Sequence, residues 1–477
     1  YDAGTAITTG DKNVALGSYA LDANTTASQN TAVGAYGLSA NTTGTANVAV
    51  GYKALKDNTT TSNNTAIGWN ALEANTASNN VAVGRDALTA NTTGHSLTAA
   101  GRNALAANTT GIVNSAFGYY ALAANTTGEN NNAFGRGALV TNTTSNNNSA
   151  FGDYALQANT AGNNSAFGYR TLYTNSTGTS NVAVGAQALY TNNADNNTAV
   201  GYYALKSNTT GAGNVAMGKG ALDANTTGNY NVAVGRDALG ANTTGSGNIA
   251  VGTGSLDAQT SGGDGNTAVG HFTLSANTTG DNGVAIGYNA LNANTTGGSN
   301  VAIGYGALAV NTTGAENVAI GRNALDANTT ANENVAIGYV SMTANTTGAH
   351  NVAVGHDSLK ANTTGSYNIA IGRDCMQANT DGASNVAVGS NALDACVSGN
   401  NNVAIGDFSL TNYTGNGNTA VGHDSLNACT TGANNVAVGN EALKANTTGA
   451  QNTAVGAYTA DAITTGVYNT AIGEQSM

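Results

Sequence analysis

The chain has 477 residues with 8% charged side chains, no proline and a formal net charge of −12. Its 14 Lys and Arg against 26 Asp and Glu leave no basic track for nucleic acid. No apolar run approaches the ~20 residues that a membrane-spanning helix needs. Gly, Ala, Asn and Thr dominate, a low-complexity composition, but the strict phase of the apolar positions argues against disorder.

From Asn13-Val14-Ala15-Leu16-Gly17 to Asn469-Thr470-Ala471-Ile472-Gly473 one unit is written about twenty-eight times: Asn-x-Ala-Val-Gly-x-x-Ala-Leu-x-Ala-Asn-Thr-Thr-Gly-x-x. Successive glycines such as Gly17, Gly34 and Gly51 fall 17 residues apart, with a few spacings of 16 and one of 18 between Gly252 and Gly270. A unit this short cannot bury a core alone, so each copy is one rung of a stacked array. The expected fold class is all-β: a parallel β-solenoid, a flattened β-roll, over residues 1–477 as one uninterrupted domain. At ~4.8 Å per rung it would be a rod ~130 Å long.

The first element of each rung is a strand over Asn-x-Ala-Val-Gly. Alternation puts Asn, Ala and Gly on one face and the x and Val positions on the other. The Ala slot is Ala in every copy, and the Asn slot fails only at Leu97 and Gly283. A slot that never exceeds a methyl group faces something close, which makes the Ala side the interior. Asn in register can stack its amides, each donating to the next. The second element is a strand at Ala-Leu, with Leu or Met at almost every copy (Leu21, Leu38, Leu55, Met342, Met376). Turns are expected after Ala-Val-Gly and at Asn-Thr-Thr-Gly, where Gly can take positive φ.

If Ala is inside, a second apolar row points outward: Val33, Val50, Ile67, Val83, Phe117, Phe134, Phe151, Phe167, Val184, Val200 and their successors, broken only at Ala100. A stripe one side chain wide would expose on the order of 1,000 Å², more than soluble monomers tolerate. The row therefore asks for a partner, another copy of the chain being the obvious one, and is the candidate oligomer seam. The opposite assignment, Val inside, leaves the constancy of Ala unexplained.

The position after the strand glycine carries Tyr52, Trp69, Tyr119, Tyr169, Tyr202, Tyr288, Tyr305 and Tyr339, with His271, His356 and His423. Arg85, Arg102, Arg136, Arg236, Arg322 and Arg373 sit there too. Planar groups one rung apart are within stacking reach, Arg over Tyr being favourable. This column is the candidate surface-binding stripe, for glycans or a host-surface receptor; simple stacking at a solvated corner is the alternative. The Asn-Thr-Thr turns also spell N-glycosylation acceptors (Asn24, Asn41, Asn108), a match read as incidental outside a secreting eukaryote. Their stacked threonines would form the ladder seen in some ice-binding solenoids.

Cys396 and Cys429 occupy a slot that is Asn in most rungs, two rungs and ~9.5 Å apart, too far to bridge. Cys375 takes a small-residue slot. The five His are scattered without paired carboxylates, so no catalytic residues are assigned. The turns carry Thr and Gly rather than clustered Asp, so no calcium, other metal or cofactor is expected. The chain begins at Tyr1 rather than Met, as a processed product or fragment would. Ile7-Thr8-Thr9-Gly10 and Ile463-Thr464-Thr465-Gly466 match one another, and open edges there would allow head-to-tail stacking.

Asn-Val-Ala-Val-Gly and Asn-Val-Ala-Ile-Gly, with a small residue three positions on, resemble the head repeats of trimeric autotransporter adhesins of the YadA type. The longer unit with Ala-Leu-x-x-Asn-Thr-Thr-Gly is similar to the repeat arrays in tail-fibre proteins of marine bacteriophages. The resemblance covers the whole chain. It implies a left-handed parallel β-roll, three of which pack through their Val/Ile rows. The rung here is longer than the adhesin repeat, and no stretch of these 477 residues reads as the adhesins' coiled-coil stalk or membrane anchor. The expected function is an extracellular structural fibre or adhesin shaft, at a cell surface or on a virion, attaching multivalently. The alternatives are a polymerising surface or matrix filament and a threonine-ladder ice-binding protein.

Overall fold

A computed structural model describes residues 2–477. Twenty-eight three-residue strands run from β1 (Val14–Leu16) to β28 (Thr470–Ile472), one per rung, and no helix occurs among the described residues. Contacts divide the chain into two units, Tyr1–Arg236 and Asp237–Met477. In the first, each strand from β1 to β14 (Val232–Val234) pairs in parallel with the next. In the second, the same holds from β15 (Ile249–Val251) to β28. Register is fixed throughout: Ala faces Ala one rung on, as in Ala32↔Ala49 and Ala302↔Ala319. The expected all-β parallel solenoid is what forms in each unit.

The face assignment also follows the expectation. The central Ala of the strand is buried from Ala32 to Ala454, while the residues on either side of it are half-buried or exposed. The strand glycine makes the close stacking possible. Gly84 has φ +134°, and a Cβ there would lie 2.6 Å from the carbonyl oxygen of Gly101 on the next rung. No L-residue fits that backbone at that approach.

The second strand does not form. After Gly34 the chain makes successive tight turns, closed by Gly37 N–H to Gly34 O at 3.2 Å and Asn41 N–H to Leu38 O at 3.2 Å. Leu38 sits at φ +48°, and the same left-handed conformation recurs at Leu55, Leu205, Leu325 and Met376. Leu does not choose this region by itself; it costs ~1–2 kcal/mol. Complete burial of the side chain returns ~1.5–3 kcal/mol, and Leu38 and its counterparts have no exposed surface. Burial wins, and the backbone stays satisfied because the turns still bond between rungs: Tyr36 N–H to Ser18 O, Leu38 N–H to Ala54 O. A second left-handed column lies two residues after the strand glycine, at Tyr19, Tyr36 and Lys53, and a third just before the strand, at Gln29, Ala46 and Asn63. At the Asn-Thr-Thr-Gly turn the glycine is not the positive-φ residue; Ala46, two positions after Gly44, is.

The remaining core is amide. The strand Asn accepts from the next rung's backbone, Asn47 N–H to Asn30 Oδ1 at 2.9 Å, while the Asn30 amide donates to Gly44 O. At several rungs the strand Asn also donates to the one before it, as Asn385 Nδ2 does to Asn368 Oδ1 at 3.1 Å. The longer amide-to-amide ladder is at the other Asn, that of Asn-Thr-Thr: Asn328 Nδ2 donates to Asn311 Oδ1 at 2.8 Å and Asn311 to Asn294 at 2.8 Å. It runs on to Asn379 through Asn345 and Asn362. These groups have no access to water, so each depends on its neighbours in the column.

Candidate functional site

The column after the strand glycine is exposed, as the alternation requires, and its continuity differs between the two units. In the second, the planar groups form an unbroken run over six adjacent rungs. His271 stacks on Tyr288 at 5.6 Å, and Tyr288 on Tyr305 at 5.4 Å. The Arg322 guanidinium lies 5.7 Å from the Tyr305 ring and 5.8 Å from Tyr339, which stacks on His356 at 5.1 Å. One rung further, Arg373 turns to Asp374 at 3.0 Å. His423 lies apart, edge-on to Phe408.

In the first unit the column is a set of separate groups. Tyr52 meets Trp69 at 4.5 Å, Arg85 pairs with Asp86 at 3.0 Å, and Arg102 lies over Tyr119 at 5.8 Å. Arg136 leaves the column and covers Tyr154 at 4.7 Å. Tyr169 and Tyr202 stack instead on residues two after the glycine, Arg170 and Tyr203. The second column, at Tyr120, Tyr154, Arg170 and Tyr203, is therefore part of the same surface. Its signal in the sequence is planar residues one position further on, beside a planar first-column residue at Tyr119, Tyr169 and Tyr202 but beside Asp153 at Tyr154.

The outward apolar row is where the alternation put it. Ile67, Val83 and Phe167 each keep about 40% of their surface, at 41%, 40% and 40%. Phe117, Phe134, Phe151 and Phe167 form a parallel stack with ring centroids 4.6–4.9 Å apart. The face is broader than a one-residue stripe, because the first residue of each strand also points outward. From β17 (Val284–Ile286) to β24 (Val403–Ile405) both outward positions are Val or Ile. Where the third position is Phe the first is Ser or Asn: Ser115, Asn132, Ser149 and Ser165.

The Asn-Thr-Thr turns are not open acceptors. Asn24, Asn41 and Asn108 are fully buried, and the amides of Asn41 and Asn108 donate both to the preceding Asn and to a carbonyl of their own turn. A glycan on Nδ2 is incompatible with that packing. The first Thr of many of these turns also commits its hydroxyl, as Thr109 Oγ1 does to Thr126 O at 3.1 Å.

The Asn column takes Gln at Gln259, which still donates to Asn242 Oδ1, and is broken by three consecutive rungs carrying Cys396, Tyr413 and Cys429, all buried. The Tyr413 hydroxyl donates to Asn416 O at 2.8 Å, replacing the lost amide bond within the turn. Asn379 Oδ1, just before the break, and Asn446 Oδ1, whose next-rung neighbour is Ile463, are left without donors. The three thiols are free. Burial pushes Cys375 up to about 12 and Cys429 to about 11, and raises Cys396 as well. None is a ready nucleophile.

His356, Asp357 and Asp374 bring donor atoms within 4.8 Å of one another and are the residues closest to a cation site among those described. Their charge is already met: Lys360 Nζ lies 3.2 Å from Asp357 Oδ2, and the Gln377 amide bridges Asp357 and Asp374. The site chemistry is therefore that of an extended surface, with stacked rings and guanidinium groups on one edge and an aliphatic face beside it. No protein-family model matches the chain, and no curated protein is significantly similar to it.

Proposed function

We propose that the chain is the shaft of an extracellular structural fibre, on a virion or a cell surface, assembled as a homo-oligomer of three copies. The observation that carries this reading is the outward aliphatic face. Over β17 to β24 it offers sixteen Val and Ile side chains, two from each of eight rungs. Five of them (Ile286, Ile337, Ile369, Ile371 and Ile405) keep 36–41% of their surface and the rest are half-buried, so covering each contributes on the order of 0.5–1 kcal/mol. The sum is on the order of 10 kcal/mol from those rungs alone, comparable with the ~4–15 kcal/mol that association costs. The pairing of Phe with Ser or Asn supports a covered face as well, because a bulky residue beside a small one keeps the width constant, which matters only where something packs against it. Three-fold assembly rests on the resemblance to the adhesin head repeats. The aromatic and cationic columns would then repeat around the fibre as multivalent contacts for surface glycans.

Light scattering on a variant carrying Ile286→Lys, Ile303→Lys and Ile320→Lys tests the seam. Buried ammonium groups without partners are costly, so the assembly is expected to fall to single chains. Thr296→Lys, Thr313→Lys and Thr330→Lys, at the turns, leave it intact. An unchanged mass for the seam variant would remove this reading.

A further inference from the structure

One concave feature stands out on the first unit, on the turn-rich side of three successive rungs. It is a surface cleft of about 200 Å³ lined by Tyr119, Tyr120, Arg136, Gly137, Tyr154 and Gln157. Tyr119 and Tyr120 meet edge to face, with centroids 4.4 Å apart and planes at 86°. One rung on, the left-handed column that carries Tyr120 has glycine, at φ +65°. The Tyr154 ring lies over that bare backbone: a Cβ on Gly137 would come within 2.8 Å of Tyr154 Cδ1. The Arg136 guanidinium covers the Tyr154 ring at 4.7 Å, and Arg170 stands 5.9 Å from the same ring. The Gln157 side-chain oxygen is sealed from water with no donor.

We propose that this cleft binds one hexopyranose unit of a saccharide, a reading that deepens the attachment role given to the columns above. A pyranose has an apolar C–H face, which suits rings presented flat or on edge, and a rim of hydroxyls. The rim meets the Arg136 donors and the Gln157 amide, whose oxygen gains a partner when the side chain turns to a hydroxyl. The aromatic walls and the few polar groups that converge on one small space distinguish the cleft from the flat stacking along the rest of the column. Anionic ring ligands such as nucleotides fit poorly, since Asp153 lies 3.6 Å from Arg136 and the chain carries a net charge of −12.

The test is calorimetric titration of the full chain with cellobiose, lactose and chitobiose, repeated on three variants. Binding of at least one is expected, weakened about tenfold or more by Tyr154→Ala and by Gly137→Ala, and unchanged by Thr313→Ala, at an exposed turn position outside both columns. Gly137→Ala acts by displacing the Tyr154 ring, while the backbone tolerates it: Tyr120 holds the same conformation one rung away at φ +57°. The inference is overturned if none of the three disaccharides binds, or if the two cleft variants bind as well as the parent. Equal loss in all three variants would overturn it too, by showing that the loss is not specific to the cleft. Because the cleft lies within one chain, a monomer that binds would refute the fibre assembly alone, and an assembled chain that does not bind would refute the cleft alone.

Discussion

Replacing Gly304 by Ala should break the array at one rung, whereas the same change at Gly314, ten residues on, should cost much less. Gly304 follows β18 (Val301–Ile303) and holds φ +133°; a Cβ there would meet Gly321 O at 2.6 Å and Gly321 C at 2.7 Å. The backbone conformation costs ~1–3 kcal/mol for an L-residue, and forcing the rungs apart adds ~1–3 kcal/mol of overpacking. A loss of ~2–6 kcal/mol follows, concentrated at the interface with the next rung because the array is coupled between nearest neighbours. A Cβ on Gly314 would also press on Ala331 O and Asn311 Oδ1, but Gly314 is not at positive φ, and Ala331, Ala27 and Ser145 carry a Cβ in the same slot, so a small shift of the turn accommodates it. There Ala should stay within ~1 kcal/mol, the loss of unfolded-chain freedom offsetting a small backbone adjustment. Hydrogen exchange at the Gly321 amide, which bonds Ile303 O at 2.8 Å, reads the local opening, and urea unfolding reads the total. Equal effects of the two substitutions would refute the claim that the strand glycine, not glycine in general, permits the stacking.

Three further outcomes are expected. Asn328→Ala removes the donor to Asn311 Oδ1 and one of the two acceptors of Asn345 Nδ2, which keeps its bond to Gly348 O, leaving the buried Asn311 Oδ1 unpaired at ~1–3 kcal/mol; urea unfolding showing less than ~1 kcal/mol would contradict a cooperative ladder. The cysteines should resist iodoacetamide in the folded chain and react on denaturation; fast native alkylation would contradict their burial. The folded thiols hold their protons longer than the ordinary value of 9.0 allows, up to about 12 for Cys375. Their contribution to stability is therefore whole below pH 9.0 and is lost as pH rises from there toward about 12, so that Cys375→Ala should flatten the alkaline limb of the unfolding profile.

The rung length, the inward Ala and the outward Val row were legible because each is a statement about side-chain size in a strict period. An Ala that never grows reports a backbone one rung away, and alternation does the rest. What the residues at Ala-Leu do was not legible. An apolar residue beside small ones reads as a short strand, yet Leu38 and its counterparts are left-handed. Between-rung burial of Leu outweighs its local preference, and nothing in a single rung records that competition. The amide ladder expected at the strand Asn forms there at several rungs, as from Asn402 to Asn385, but runs longer at the turn Asn, a difference that two columns of the same residue type do not reveal. The break at Cys396, Tyr413 and Cys429 was half visible. The cysteines were placed in the Asn slot, but Tyr413 between them looks like an ordinary surface tyrosine until its rung is aligned. For the surface columns, the residue order named the members but not their grouping. Arg136 turns aside to Tyr154 because Gly137 lets that ring lie on the backbone, a contact across rungs that no spacing rule contains.

Sedimentation equilibrium on the intact chain tests the central claim most directly. A mass near three times 46.9 kDa is the predicted result, with the Val, Ile and Phe face closed against two other copies. A species at 46.9 kDa that stays single as concentration rises would contradict the account, leaving an aliphatic face open to water and the fibre assembly without its seam.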